Sequence, residues 1–184
     1  MIIITFSILF IVLIIDCLFF FILISNVVSE IHGAPFVPTP YNTSGKSLQL
    51  ANVGNTDIVF DLGCGDGRLL LLAIREFNAK KAIGYEIAPW PYFKARFLTR
   101  RFKNKIRIYR RNLLKADLSE ATVVVLYLMQ GLLENLRSKL EKELPKNTRV
   151  VSVGFRIPGW QEDSKDNSTG RPIWLYKIKR SEML

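Results

Sequence analysis

The sequence predicts a doubly wound α/β domain built on a mostly parallel sheet and preceded by one N-terminal transmembrane helix. Three observations predict it. The first is a long apolar run, MIIITFSILFIVLIIDCLFFFILIS, at the start of the chain, with Asp16 its one charged residue. The second is the alternation, beyond residue 56, of short β-rich runs with helical stretches, the pattern of parallel strands joined by crossover helices. The third is DIVFDLGCGDGRLLLLA (Asp57–Ala73), in which a strand passes through three alternating glycines into a helix. At 184 residues and 49% hydrophobic content, the chain is the size of one domain plus an appendage, and 11 Gly and 8 Pro are too few for a fibrous or disordered class. All 26 Lys and Arg lie from Lys46 onward, so the positive charge behind the chain's net +10 is confined to the second part.

Residues 1–25 are read as a membrane anchor. About 24 helical residues at ~1.5 Å each reach ~36 Å, enough for a hydrocarbon core of ~30 Å. Asp16 is the discordant residue, at a cost of roughly 2.5–3.5 kcal/mol against some twenty apolar residues contributing roughly 0.3–0.6 each. The segment still inserts, with Asp16 protonated, snorkelling, or facing a helix partner. Small Val27 and Ser29 resemble a signal-peptide processing site, but there is no basic leading region and the apolar core exceeds the usual ~7–15 residues, so the anchor is expected to be uncleaved. The positive-inside rule places the basic domain on the cytoplasmic or matrix side, although the nearest positive charge, Lys46, is at the edge of the window that rule covers. Cys17 in the lipid segment and Cys64 in the glycine turn exclude a mutual disulfide, and no Cys or His cluster offers a metal site. His32 has no neighbouring ligand and is assigned no chemistry.

Residues 26–55, with GAPFVPTPYNTSG at their centre, are expected to form an extended connector, because each proline removes a donor and biases its predecessor to extended geometry. Phe36, Val37 and Tyr41 are apolar enough to give it one wall of a site. Residues 56–184 form the domain. Strand DIVFDL (Asp57–Leu62), helix GRLLLLAIREF (Gly67–Phe77), strand KKAIGYEI (Lys80–Ile87) and a helix from Pro89 to about Phe102 come first. Strands KIRIYRR (Lys105–Arg111) and TVVVLYL (Thr122–Leu128), a charged amphipathic helix (Gly131–Leu144), strand TRVVSVGF (Thr148–Phe155) and a last strand around Ile173–Lys179 follow. Only about thirty residues remain after the Thr148–Phe155 strand, so the closing strands are expected to be abbreviated.

In such a sheet, ligands sit beyond the carboxyl ends of the strands where the strand order reverses, and the first strand–turn–helix supplies the floor. Gly63, Gly65 and Gly67 leave backbone open to a ligand. Their G-x-G-x-G spacing departs from the dinucleotide fingerprint, with Arg68 in place of its last glycine. Asp61 and Asp66 add negative charge where a pyrophosphate would lie, and so suit a cationic ligand. Glu86 ends the second strand, where a carboxylate can accept from both ribose hydroxyls. A ribose-bearing, cationic, phosphate-free ligand is S-adenosylmethionine.

Here VFDLGCGDGR followed by GYEI resembles motifs I and II of the class I, seven-strand methyltransferases, whose fold is Rossmann-like. PFVPTP, GYEIAPW, RRNLLKADLSEATVVVLYLMQ and RVVSVGFRIPGW narrow the resemblance, from about Pro35 to Trp160, to the membrane-anchored protein-lysine methyltransferases. Those include the enzymes acting on ATP synthase and on the adenine nucleotide translocase, together with smaller prokaryotic relatives. The resemblance implies that Thr39 closes over the methionine part of the cofactor, with Asp61, Gly63 and Gly65 beneath it and Asp66 and Gly67 completing the turn. It also implies that Glu86 holds the ribose and that Asn112 and Leu113 flank the adenine, Asn112 standing where Asp is frequent. Tyr127 and Gln130 close the next strand and face the acceptor, departing there from the acidic or Asn-Pro-Pro-Tyr motifs of other amino-group methyltransferases.

Methyl transfer asks the enzyme for positioning, desolvation and a neutral acceptor amine rather than a dedicated base. Tyr127, Tyr85 and Trp160 are candidate walls of an aromatic lysine pocket. Between Lys94 and Lys115 there are ten Lys or Arg and no acid, interrupted by Phe93, Phe97, Leu98 and Phe102, which predicts one core face and one basic face. The basic face fits anionic lipid headgroups. A membrane-protein lysine therefore ranks first as acceptor; RNA ranks second, and a non-catalytic tethered binding module third.

Overall fold

The computed structural model describes residues 2–31 and 37–179; His32 and the Pro35–Phe36 part of the proline segment lie outside these. Helix α1 (Ile2–Ile31) is followed by α2 (Tyr41–Leu50), β1 (Ile58–Leu62), α3 (Arg68–Arg75), β2 (Lys81–Tyr85), α4 (Pro89–Thr99) and β3 (Ile106–Tyr109). Then come β4 (Val123–Leu126), α5 (Gln130–Glu143), β5 (Arg149–Val153), β6 (Ser164–Asp166) and β7 (Ile173–Lys177). The seven strands lie in the order β3-β2-β1-β4-β5-β7-β6. β1 to β5 are parallel, and β7 runs antiparallel between β5 and the three-residue β6, a strand too short and polar to stand out in the sequence. The strand order reverses between β1 and β4, which makes that boundary the place for a ligand crevice.

Strands covered on both faces must be apolar on both, and alternate side chains then feed two cores. Val59, Val125 and Val151 join Leu48 of α2 and Leu70 of α3 on one face. Phe60, Val124 and Val150 join Leu133, Leu136 and Leu140 of α5 on the other.

Two expectations are corrected. Residues 41–50 are a helix, not extended connector. The last proline, Pro40, occupies the N-cap position, and beyond it nothing interrupts the i→i−4 ladder. Thr43, Ser44, Ser47 and Leu48 recur at helical spacing and are buried as α2 packs on α3. The second correction concerns α4, whose large apolar residues do not face the core: Trp90, Phe93, Phe97 and Leu98 are exposed, whereas Pro89, Pro91, Ala95 and Thr99 are buried. The cause is the glycine turn. A Cβ on Gly67 would stand 3.2 Å from Ala95 Cβ and 3.3 Å from Thr99 Cγ2, so only small side chains fit between α4 and the turn. The aromatic residues are forced outward, and only Phe102, half-buried in the short 3-10 turn after α4, packs against the core.

Within α1, Ile4–Val28 is long and apolar enough to cross a membrane, with a mean hydropathy of 3.1. Its contact with the domain is at its C-terminal end. Phe21 meets Phe93 with ring centroids 6.4 Å apart, and the buried Ser25 hydroxyl accepts the Trp90 backbone N–H at 3.0 Å. That N–H is one of the first-turn donors a helix cannot satisfy internally.

Candidate active site

A cavity opens at the carboxyl ends of β1, β2 and β4, beneath the segment that leads into α2. Its floor is the turn after β1. Gly63, Gly65 and Gly67 have φ of +89°, +54° and +77°, values that side chains strongly disfavour. The turn is tied to β2, because the Gly63 and Cys64 N–H groups both donate to the Tyr85 carbonyl, at 2.9 and 3.0 Å. Glu86 reinforces the tie. One of its carboxylate oxygens accepts the Gly65 N–H at 2.9 Å and the other the Ala88 N–H at 2.8 Å, joining the turn to the start of α4.

The acidic groups divide into two kinds. Burial raises the pKa of Asp61 to about 7, and the neighbouring charges of Glu86 and Asp66 push the same way. Burial likewise raises Glu86, against the lowering effect of its backbone donors. Among the described residues neither has an ion-pair partner, and Glu86 is held by backbone N–H groups alone. Asp66 is different: burial opposes its ionisation, but hydrogen bonds and charge from Arg68 and Lys94 win and hold it below the usual carboxylate value. Arg68 Nε and Nη2 donate to its two oxygens at 2.9 and 2.8 Å, and Lys94 Nζ lies 3.1 Å away. The remaining guanidinium nitrogen of Arg68 donates to the Thr39 carbonyl at 3.1 Å, and the group lies over the Tyr41 ring at 5.3 Å. Arg68 thus latches the segment before α2 across the cavity mouth.

Of the residues expected at the site, Thr39, Asp61, Gly63, Gly65, Asp66, Glu86, Asn112, Leu113 and Tyr127 line the cavity. Gly67 does not; its lack of a side chain serves the approach of α4. Gln130 is the exposed first residue of α5 and lies outside the lining. Trp160 is also outside, its Nε1 donating to Glu141 at 2.8 Å and its ring packed on Tyr176. Asn112 caps the short 3-10 turn 113–115, its Oδ1 accepting the Leu114 N–H at 2.8 Å. Tyr127 carries the Arg171 guanidinium over its ring at 5.5 Å. Sequence reasoning missed Arg68, Ser47, Arg111 and Leu128. Arg68 was legible as a cation two residues from an acid; Ser47 was hidden because the weak helix formers of α2 conceal its helical spacing.

The two buried carboxylates, the open glycine backbone and the surrounding apolar wall fit a ligand that is cationic at one end and carries a vicinal diol and an apolar ring at the other. Residues 61–164 match the model of the ANTKMT methyltransferase domain. The chain belongs to this family.

Among relatives, a protein-lysine N-methyltransferase of Saccharolobus islandicus is 40% identical over 158 residues, covering 82% of this chain and 97% of that protein. The adenine nucleotide translocase lysine N-methyltransferase of Mus musculus is 33% identical over 77% of this chain, which spans 64% of that longer protein. Among solved structures, an RNA methyltransferase from Salinibacter ruber in complex with S-adenosyl-L-homocysteine is 35% identical, with a TM-score of 0.75 over 79% of this chain and 97% of that one.

Proposed function

We propose that this chain is a membrane-anchored, S-adenosylmethionine-dependent protein-lysine N-methyltransferase acting on a lysine ε-amine of a membrane-associated protein. The observation that carries the cofactor assignment is the buried Asp61–Glu86 pair beside the open glycine turn, at the reversal of strand order. When bound, S-adenosylmethionine supplies an electrophilic methyl carbon on a sulfonium. Asp61 would hold the cationic amino-acid end above Gly63 and Gly65, and Glu86 the ribose hydroxyls. Asn112 and Leu113 would border the adenine, and Thr39 would close the cavity, held there by Arg68.

The acceptor side is assigned to Tyr127. Its support is the Arg171 guanidinium over the ring, the same face-on contact an arriving ammonium would use. The amine must reach the methyl carbon without its proton, and an apolar wall of Val125, Leu128 and Val153 disfavours the ammonium form. Asp66 serves the latch rather than the cofactor, and Gln130 is given no role.

Residues 1–25 are the single-pass anchor, 26–55 the Pro-rich connector and pre-methyltransferase segment, whose Thr39 borders the cavity, and 56–184 the catalytic domain on the cytoplasmic or matrix side. The test is transfer of isotope-labelled methyl groups by the full chain to membrane fractions and to total RNA in parallel. Label mapped by mass spectrometry to a lysine of a membrane protein is expected, whereas label in RNA alone would overturn the acceptor.

RNA remains the second reading because of the name of the Salinibacter relative and because of one feature here. A groove on the β2–β3 face is lined by Lys81, Lys105, Arg107 and Arg111 beside Tyr85 and Tyr109, whose rings stack at 5.3 Å.

A further inference from the structure

The membrane reading gives lipid contact to α1 and headgroup contact to the basic Lys94–Lys115 face; the placement of α4 against α1 adds an apolar contact to these. Soluble helices bury their large apolar side chains and expose their polar ones. In α4 this order is inverted, with Trp90, Phe93 and Phe97 exposed by 43, 51 and 63%. Spaced i, i+3 and i+7, they form one stripe along the helix. The basic residues flank the stripe. Arg100 lies over the Phe97 ring at 3.9 Å, and Arg96 over Tyr92 at 5.9 Å. Aromatic side chains on one face with Arg and Lys beside them are the composition of a helix that lies in a membrane interface.

The depth of α4 follows from α1. The apolar span of α1 ends at Val28. Phe21 and Ser25, which hold Phe93 and Trp90, stand about 10 and 5 Å before that end at ~1.5 Å per residue. An interfacial helix rests with its apolar face roughly 5–10 Å into the headgroup and acyl boundary. If α1 spans the bilayer, the start of α4 has nowhere else to be.

We propose that α4 is a second membrane element: Trp90, Phe93 and Phe97 insert into the acyl boundary of an anionic leaflet while Arg96, Arg100 and Arg101 engage its headgroups. This rests on the membrane-anchor reading above. It places the glycine turn close to the lipid surface, because Lys94 of α4 pairs with Asp66 and Ala95 packs on Gly67.

The test is tryptophan quenching in the full chain, reconstituted into phosphatidylcholine–phosphatidylglycerol vesicles with and without bromine on the acyl chains. Trp174 is buried and Trp160 packs on Tyr176, so Trp90 is the tryptophan expected to respond. Brominated vesicles should quench a large part of the emission, and the quenchable part should be lost in Trp90→Phe. It should return when Phe97→Trp is added to that variant. Vesicle flotation after alkaline extraction separates the two readings. A chain that stays with the vesicles but shows equal emission in both lipids would overturn insertion of α4 and leave the anchor standing. A chain extracted from the vesicles would overturn the anchor and α4 together.

Discussion

At the scale of single residues, Asp61 and Glu86 give the site its charge and therefore its pH dependence. Asp61 is protonated below about pH 7 in the folded chain, against 3.8 for the free group. The sign follows: a carboxyl whose folded pKa is raised stabilises the fold below its unfolded pKa and loses that contribution as pH rises through the folded one. Asp61→Asn should therefore gain stability relative to the parent chain between pH 4 and 7, by about 4 kcal/mol for a shift of this size, in cofactor-free thermal unfolding. Cofactor binding has the opposite slope, because a cation needs the ionised carboxylate. Affinity for S-adenosylmethionine should rise about tenfold per pH unit up to about 7 and then level off, while Asp61→Asn binds weakly with no such rise; calorimetry across pH reads both. Glu86→Gln is the sharper probe of the ribose contact than truncation, since it keeps an acceptor for the Gly65 or Ala88 N–H. It should cost about 10–100-fold in affinity, the loss of charge-assisted bonds, and an unchanged dissociation constant would refute the assignment.

At the scale of elements, the close approach of helices to the glycine turn sets what side chains can do. A Cβ on Gly84 of β2 would stand 2.6 Å from Cys64 Sγ and 2.7 Å from Leu70 Cδ1. Gly84→Ala should push α3 off the sheet and destabilise the domain by about 1–3 kcal/mol, read as a lowered unfolding midpoint in denaturant. The same compression decides how much of the fold is legible in the sequence. β1, β2, β4 and β5 are legible because strands buried on both faces are continuous apolar runs, and Asp61, Gly63 and Glu86 because their roles follow from position at strand ends. α2 is not, since Asn42, Thr43, Ser44 and Gly45 are weak helix formers that only packing on α3 makes helical. The facing of α4 is not either. Periodicity shows an apolar stripe at Phe93 and Phe97, but which side meets the core is fixed by Gly67, a residue more than twenty positions away.

At the scale of the whole molecule, the cavity and the main polar anchor of the fold sit at opposite ends of the sheet. Asp57, buried before β1, pairs with Arg149 at the start of β5, accepts from the Thr122 hydroxyl at 2.7 Å and from the Gly54 N–H at 2.8 Å. Arg149 in turn donates to the Ala51 and Asn52 carbonyls at 2.7 and 2.9 Å, so one ion pair joins the end of α2, β1, β4 and β5. Removing one member of such a pair strands its partner, so Asp57→Ala should cost about 3 kcal/mol and lower Tm by roughly 6–12 °C for a chain of this length. The double variant Asp57→Ala with Arg149→Met should recover part of that loss, because no unpaired charge remains. Since the pair lies at the amino ends of the strands and the ligand crevice at their carboxyl ends, the folded fraction of both variants should bind S-adenosylmethionine with the parent dissociation constant. A matching loss of affinity in the folded protein would mean that the sheet transmits strain along its strands, and that the two ends are not independent.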